Sequence, residues 1–217
     1  MSVSAAPAHL GEQYDDLDQQ RESATLGMWI FLATEIMLFG GLFLTYTVYR
    51  HAYPHAWAAA SRETNMLIGT INTVVLLCSS LTMALAVHAA HAGERKKLML
   101  FLFLTMALGI VFMGLKGYEY YDDFEKHLVP GVNFPMPDAF AHREGMFFVI
   151  YFFTTGLHAL HLTIAIVFVG IMLWKAFRRR FSPENHAGVE LTGLYWHLVD
   201  IVWVFLYPLL YLVGRTQ

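Results

Sequence analysis

The sequence predicts an all-α polytopic membrane protein with five transmembrane helices. Three observations carry that reading. Of 217 residues, 57% are hydrophobic and 14% are charged, against roughly 25% charged in soluble domains. Mean hydropathy is +0.47. Apolar runs also recur at lengths near the ~20 residues that a helix needs to cross a bilayer.

The first run, 27–49, reads GMWIFLATEIMLFGGLFLTYTVY and contains one charge-capable side chain, Glu35. An acidic residue at a helix centre costs at least ~2.5 kcal/mol on insertion scales, so Glu35 calls for a partner or a task. The predicted helices span about 26–49, 66–92, 98–117, 145–174 and 191–213, forming one membrane domain over 26–214. Residues 1–25 form a polar, acidic tail without the basic start and short apolar core of a signal peptide. The second run lacks Asp, Glu, Lys and Arg. The fourth would be ~45 Å long and must tilt or project from a ~30 Å core. The 118–144 segment reads as a loop, because Pro130, Pro135 and Pro137 oppose a sixth helix. It begins with YEYYDDFEKH, a solvated interfacial stretch or a docking surface. The helix after it begins near Arg143 and Glu144.

Lys and Arg give the orientation. Arg21, Arg95, Lys96, Lys97, Lys175, Arg178, Arg179 and Arg180 lie on the N-terminal side. Arg50, Arg62, Lys116, Lys126, Arg143 and Arg215 lie on the other. The expected N-terminus is cytoplasmic and the C-terminus outside. Arg178, Arg179 and Arg180 are candidates for anionic phospholipid. Tyr46, Tyr49, Tyr118, Tyr120, Trp174 and Tyr211 suit interfacial belts. Net charge is −3, which gives no reason to expect nucleic-acid binding, and the lone Cys78 excludes an internal disulfide.

Polar residues recur at membrane depth. His158 and His161 share one helix face, and His197 and Asp200 share another. Glu35 and Asp200 lie roughly 13 Å deep from the same side, so two acids and a histidine could meet. Asn72, Thr73, Ser79 and Ser80 offer interhelical hydrogen bonds. Four readings compete: structural glue, a haem site, a metal site, and a proton relay or transport site. A shared haem would need matched histidine depths, yet His88 and His91 lie about 18 Å from the level of His158. A metal could be held by His158, His161 and His197 with an acid. A transporter would show broken helices or paired halves, which the sequence does not show.

At these same residues the chain resembles subunit III of the haem-copper oxidase superfamily. GMWIFLATEIMLFGGLF is similar to that family's glutamate-bearing helix, and INTVVLLCSS to its LNTxxLLxSS segment. HAAHAGERKK resembles a histidine-rich loop entry, LKGYEYYD an LQxxEYxE segment and TTGLHALHL a TGxHGLHV segment. YWHLVDIVWVFLY is the most specific match, to YWHFVDxVWxFLY. The six occur in the family's order over 26–213. The resemblance implies an all-helical subunit beside catalytic subunit I, in a complex with subunit II, with haem and copper in the partners and none in this chain. It implies a non-catalytic chain within a proton-translocating oxidoreductase of a bacterial plasma membrane. The electron donor would be cytochrome c or quinol. The family's carbodiimide-reactive glutamate falls on Glu35, its buried His and Asp positions on His158, His161, His197 and Asp200, and its helix-end Glu on Glu119, and the resemblance makes all six candidates for buried polar or proton-uptake roles. Longer members have seven spans and bind phospholipid in a cleft beside two N-terminal helices that this sequence lacks. An accessory protein of nitric oxide reductase belongs to the same family and is the alternative.

Overall fold

In the computed structural model, residues 16–135, 139–178 and 187–213 are described. They form six α-helices: α1 Leu17–Ala52, α2 Pro54–Glu63, α3 Met66–His91, α4 Arg95–Glu125, α5 Ala139–Phe177 and α6 Ala187–Tyr207. A π-helical turn, Pro208–Leu212, continues α6. Five of these segments are long and apolar enough to cross a membrane, and α2 is not among them. The protein is thus an all-α, multi-pass membrane protein.

The helices run past the hydrophobic limits read from sequence. Polar residues at the membrane surface form helix as readily as loop, so hydropathy marks the bilayer rather than the helix end. α4 continues to Glu125, so most of YEYYDDFEKH is helical rather than the start of a loop. α5 starts at Ala139 rather than near Arg143, and its 39 residues span about 58 Å. Residues 126–135 contain turns and no helix. The extra helix α2 begins with Pro54 in its first turn, where proline's missing N–H costs nothing.

The chain divides into two compact units, Met1–Leu38 and Phe39–Gln217. In the first, residues 18–38 are helical and carry Glu35, which is half-buried. In the second, α3 packs on α4 and α6, α5 packs on the same two helices, and α2 lies against α5. These four long helices therefore close a ring of neighbours.

Small residues set the helix spacing. A Cβ on Gly69 would stand 2.9 Å from the Tyr211 ring, and one on Gly109 would stand 2.8 Å from Trp196. Along the α3–α6 seam, indoles donate to hydroxyls: Trp196 Nε1 to Ser79 at 3.2 Å and Trp203 Nε1 to Thr73 at 3.1 Å. The Thr70 and Tyr207 hydroxyls pair at 2.6 Å. Thr82 and Thr105 hydroxyls join α3 to α4 at 2.8 Å.

The helix ends are closed by backbone geometry. Between α3 and α4, Gly93 takes φ +68° while Glu94 N–H reaches Ala89 C=O, a Schellman closure that favours glycine. At the end of α4, His127 plays the same part with φ 58°, and Leu128 N–H returns to Asp123 C=O. Arg95 closes α5 from a neighbouring helix. Its Nε donates to Ala176 C=O at 2.8 Å and its Nη2 to Phe177 C=O at 2.7 Å.

Candidate functional site in the helix interior

The largest polar assembly centres on Lys116 of α4, which sequence reasoning placed among the loop cations. It is 2% exposed, within the span. Spacing explains its company. Lys116, Glu119 and Asp123 fall at i, i+3 and i+7, one face of a helix. Tyr151 of α5 and Tyr211 of the π-turn complete the cluster, both fully buried.

Every Lys116 N–H has an acceptor. Nζ lies 2.9 Å from Glu119 Oε2, 3.0 Å from the Tyr151 hydroxyl and 2.7 Å from the Tyr211 hydroxyl. Tyr211 donates to Glu119 Oε1 at 2.7 Å. Tyr151 stands 3.0 Å from that oxygen and 3.2 Å from Asp123 Oδ2. The ammonium also faces the rings of Tyr120, Tyr151, Trp203 and Tyr211 at 4.7–5.5 Å from their centroids. Such aromatic faces attract a cation, more strongly where water is excluded. These oxygens and ring faces are the surroundings a buried amine group requires.

The π-turn brings Tyr211 into place. Pro208 has no N–H and opens the turn that follows α6. Carbonyls in the turn find side-chain donors. Ser61 Oγ donates to Leu210 C=O at 2.9 Å, and the Tyr46 hydroxyl donates to Leu209 C=O. Tyr46 and Tyr211 are thus buried structural groups, whereas Tyr118 and Trp174 are exposed.

The predicted site residues are distributed rather than gathered. Glu119 belongs to the Lys116 cluster. His158 is 1% exposed and sits between Phe112 and Trp203, with ring centroids 5.7 and 5.1 Å away. Neither of its ring nitrogens has a hydrogen-bond partner among the described residues. His161, one turn on, places Nδ1 2.8 Å from Leu157 C=O and its ring 5.3 Å from Phe39. His197 Nδ1 lies 2.9 Å from Ser80 Oγ. Asp200 is buried with the Ser80 side chain beside it, and neither carboxylate oxygen makes a hydrogen bond within the geometric limits among the described residues. Of the α3 candidates, Thr73, Ser79 and Ser80 bond across helices, while the Asn72 amide, also buried, does not. Arg178 lies over the Trp174 ring at 5.2 Å. Arg179 and Arg180 lie outside the described residues.

No group of three or more His, Cys, Asp or Glu that could hold a metal occurs among the described residues. His158, His161 and His197 have separate surroundings. Sequence reasoning missed Lys116, Asp123, Tyr151 and Tyr211. The signal available was the i, i+3, i+7 spacing of Lys116, Glu119 and Asp123, which sets them on one helix face.

Long apolar helices enclosing a charged network define a polytopic membrane subunit, and the comparisons with known proteins say of which kind. The family model described as cytochrome c oxidase subunit III matches residues 15–215. The chain belongs to that family, which makes it a membrane subunit of a terminal oxidase. It is 28% identical over 202 residues to cytochrome c oxidase subunit 3 of Thermostichus vulcanus, covering 93% of this chain and 92% of the relative. It is 30% identical over 209 residues to a probable quinol oxidase subunit 3 of Staphylococcus aureus, strain USA300, covering 96% and 98%. A similar protein from Staphylococcus saprophyticus is 28% identical over 209 residues, with the same coverage.

Proposed function

We propose that this chain is the non-redox subunit III of a bacterial oxidase that reduces O2 to water and translocates protons. The single observation that carries the reading is the match of residues 15–215 to the family. In this reading the chain packs beside subunit I, stabilises it and supports proton uptake, while haem and copper reside in partner subunits. The chain sits in the plasma membrane with its N-terminus cytoplasmic. Lys116 is no loop cation, so six charges on the far side fall to five against eight (6 − 1 = 5), which favours this orientation.

Glu35 is the acid assigned to proton-uptake support. His158, His161, His197, Asp200 and Glu119 are interior polar groups that fix the helices. Arg178 with Arg179 and Arg180 meets phospholipid headgroups. The geometry supports a packing role for the interior groups, because Lys116 and Glu119 are satisfied inside the protein.

Purification through a tag on this chain tests the assignment. The intact complex is expected to show haem absorbance that stays with other subunits when this chain is separated. Stoichiometric haem or copper on the isolated chain would overturn it, as would substrate flux in liposomes holding this chain alone. Removal of the chain is expected to leave O2 reduction that decays during turnover. Glu35→Gln is expected to leave assembly intact, because the amide keeps the carboxyl's shape. Slower proton uptake with full assembly would support the assigned role, and loss of the complex would make Glu35 an assembly residue.

A further inference from the structure

The Lys116 cluster contains more acid than base. Besides the Tyr151 and Tyr211 phenols and the nearby His158 imidazole of α5, its buried ionisable groups are one amine and two carboxyls, and Lys116, Glu119 and Asp123 are exposed by 2%, 0% and 1%. Lys116 donates three hydrogen bonds. Three acceptors are the number that the three N–H groups of an ammonium can satisfy. Other charges nearby lie on α4, just past its end, and on α2. Lys126 gives its hydrogen bond to Asp122 at 2.7 Å on a partly exposed surface, and Glu63 of α2 also acts on it. Lys126 reaches Asp123 only as a more distant charge. The Tyr151 hydroxyl of α5 faces Asp123, and the Tyr211 hydroxyl of the π-turn bonds Glu119. Ionising both carboxyls would leave one uncompensated negative charge in a fully enclosed site, which is strongly disfavoured.

The Tyr151 hydroxyl joins the two acids, 3.0 Å from Glu119 and 3.2 Å from Asp123. It has one proton and can donate to one acid at a time. With Asp123 protonated, Asp123 donates to the Tyr151 oxygen and Tyr151 donates to Glu119. With Asp123 ionised, Tyr151 turns to Asp123, and Glu119 keeps Lys116 and Tyr211. Both arrangements employ every hydroxyl proton.

We infer that Glu119 and Asp123 together form a proton-binding site bridged by the Tyr151 hydroxyl, and that this hydroxyl reorients when the proton leaves. This goes beyond the oxidase assignment and does not rest on it.

Infrared difference spectra of the purified complex retaining this chain test the site. Wild type is subtracted from Asp123→Asn and, separately, from Glu119→Gln. One subtraction is expected to isolate the carbonyl stretch of a protonated carboxylic acid, shifted in heavy water. Carboxylate bands alone in both subtractions would overturn the inference. Tyr151→Phe keeps both acids and the ring. It is expected to move the acid band by removing a hydrogen-bond partner, and an unmoved band would overturn the site's location. Should a substitution prevent assembly, wild type still decides. Titration to alkaline pH is expected to convert one buried acid to carboxylate, and no such conversion would overturn the inference.

Discussion

Two polar regions share the interior of residues 39–217 and solve burial differently. Around Lys116, charge, hydroxyl and aromatic face are matched bond for bond. Around His158, Asp200 and Asn72, polar atoms are buried without hydrogen bonds among the described residues. The first arrangement is interdependent, since removing one member strands the others. The second is a set of separate groups, each replaceable by a side chain of similar shape. Burial of a polar group therefore says little about its contribution until its partners are known.

Breaking the matched network gives the largest expected effect. Lys116→Met leaves two carboxyls without their cation, and loss of one partner of a buried pair costs about 3–5 kcal/mol. Thermal unfolding of the purified complex is expected to fall clearly below wild type. An unchanged transition would mean that the network contributes little.

Next comes the packing that positions Tyr211 and Trp196. Gly109→Ala forces a methyl to within 2.8 Å of Trp196, and overpacking of this kind costs about 1–3 kcal/mol. Gly114→Ala in the same helix meets nothing within 4 Å and is expected to stabilise by roughly 0.5–1 kcal/mol, since alanine favours helix. Denaturation of the two variants side by side separates packing from propensity.

His158→Phe sharpens the contrast from the other side. The histidine forfeits no hydrogen bond in the described structure, and its neighbours are aromatic. The change is expected to stay within about 1 kcal/mol of wild type or to stabilise. A loss comparable to that of Lys116→Met would show that His158 is bonded by a group outside this chain.

The smallest effect is expected at the surface pair Lys126–Asp122. The hydrogen bond to Asp122 raises the Lys126 pKa above its ordinary value of 10.5. The sign follows from linkage. Stability from this pair is full below the unfolded value and is lost as pH rises through the folded one. Lys126→Gln is expected to cost under about 1 kcal/mol at neutral pH, with the difference from wild type closing in alkali. Unfolding measured across that range checks it.

The five membrane spans were legible because apolar length is a local property of the chain. Their ends were not, since Tyr118 to Glu125 is polar and still helical. α2 escaped notice because ten residues are too few to register as a span, although Pro54 and the alanines after it are a helix-start signal. Glu119 was legible through family resemblance, whereas Lys116 was counted as a loop charge from its position near a predicted helix end. What joins Lys116 to Tyr151 and Tyr211 is tertiary: the partners are 35 and 95 residues away. Depth arithmetic places residues at one level of a bilayer but does not say which face of a helix meets which neighbour. That is why His158, His161 and His197 could be imagined as one ligand set and occupy separate surroundings.

The π-turn makes the C-terminal segment more sensitive to length than to composition. Tyr207 and Tyr211 stack at 5.6 Å across the wide turn Pro208–Leu212. Deleting one residue there would bring Tyr207 and Tyr211 from i, i+4 to i, i+3 spacing and alter the turn that aims the Tyr211 hydroxyl. The tyrosine hydroxyl that anchors Glu119 would then point elsewhere, with every other residue of the network still encoded. In a family alignment, this segment is where a single-residue gap would signify more than several substitutions.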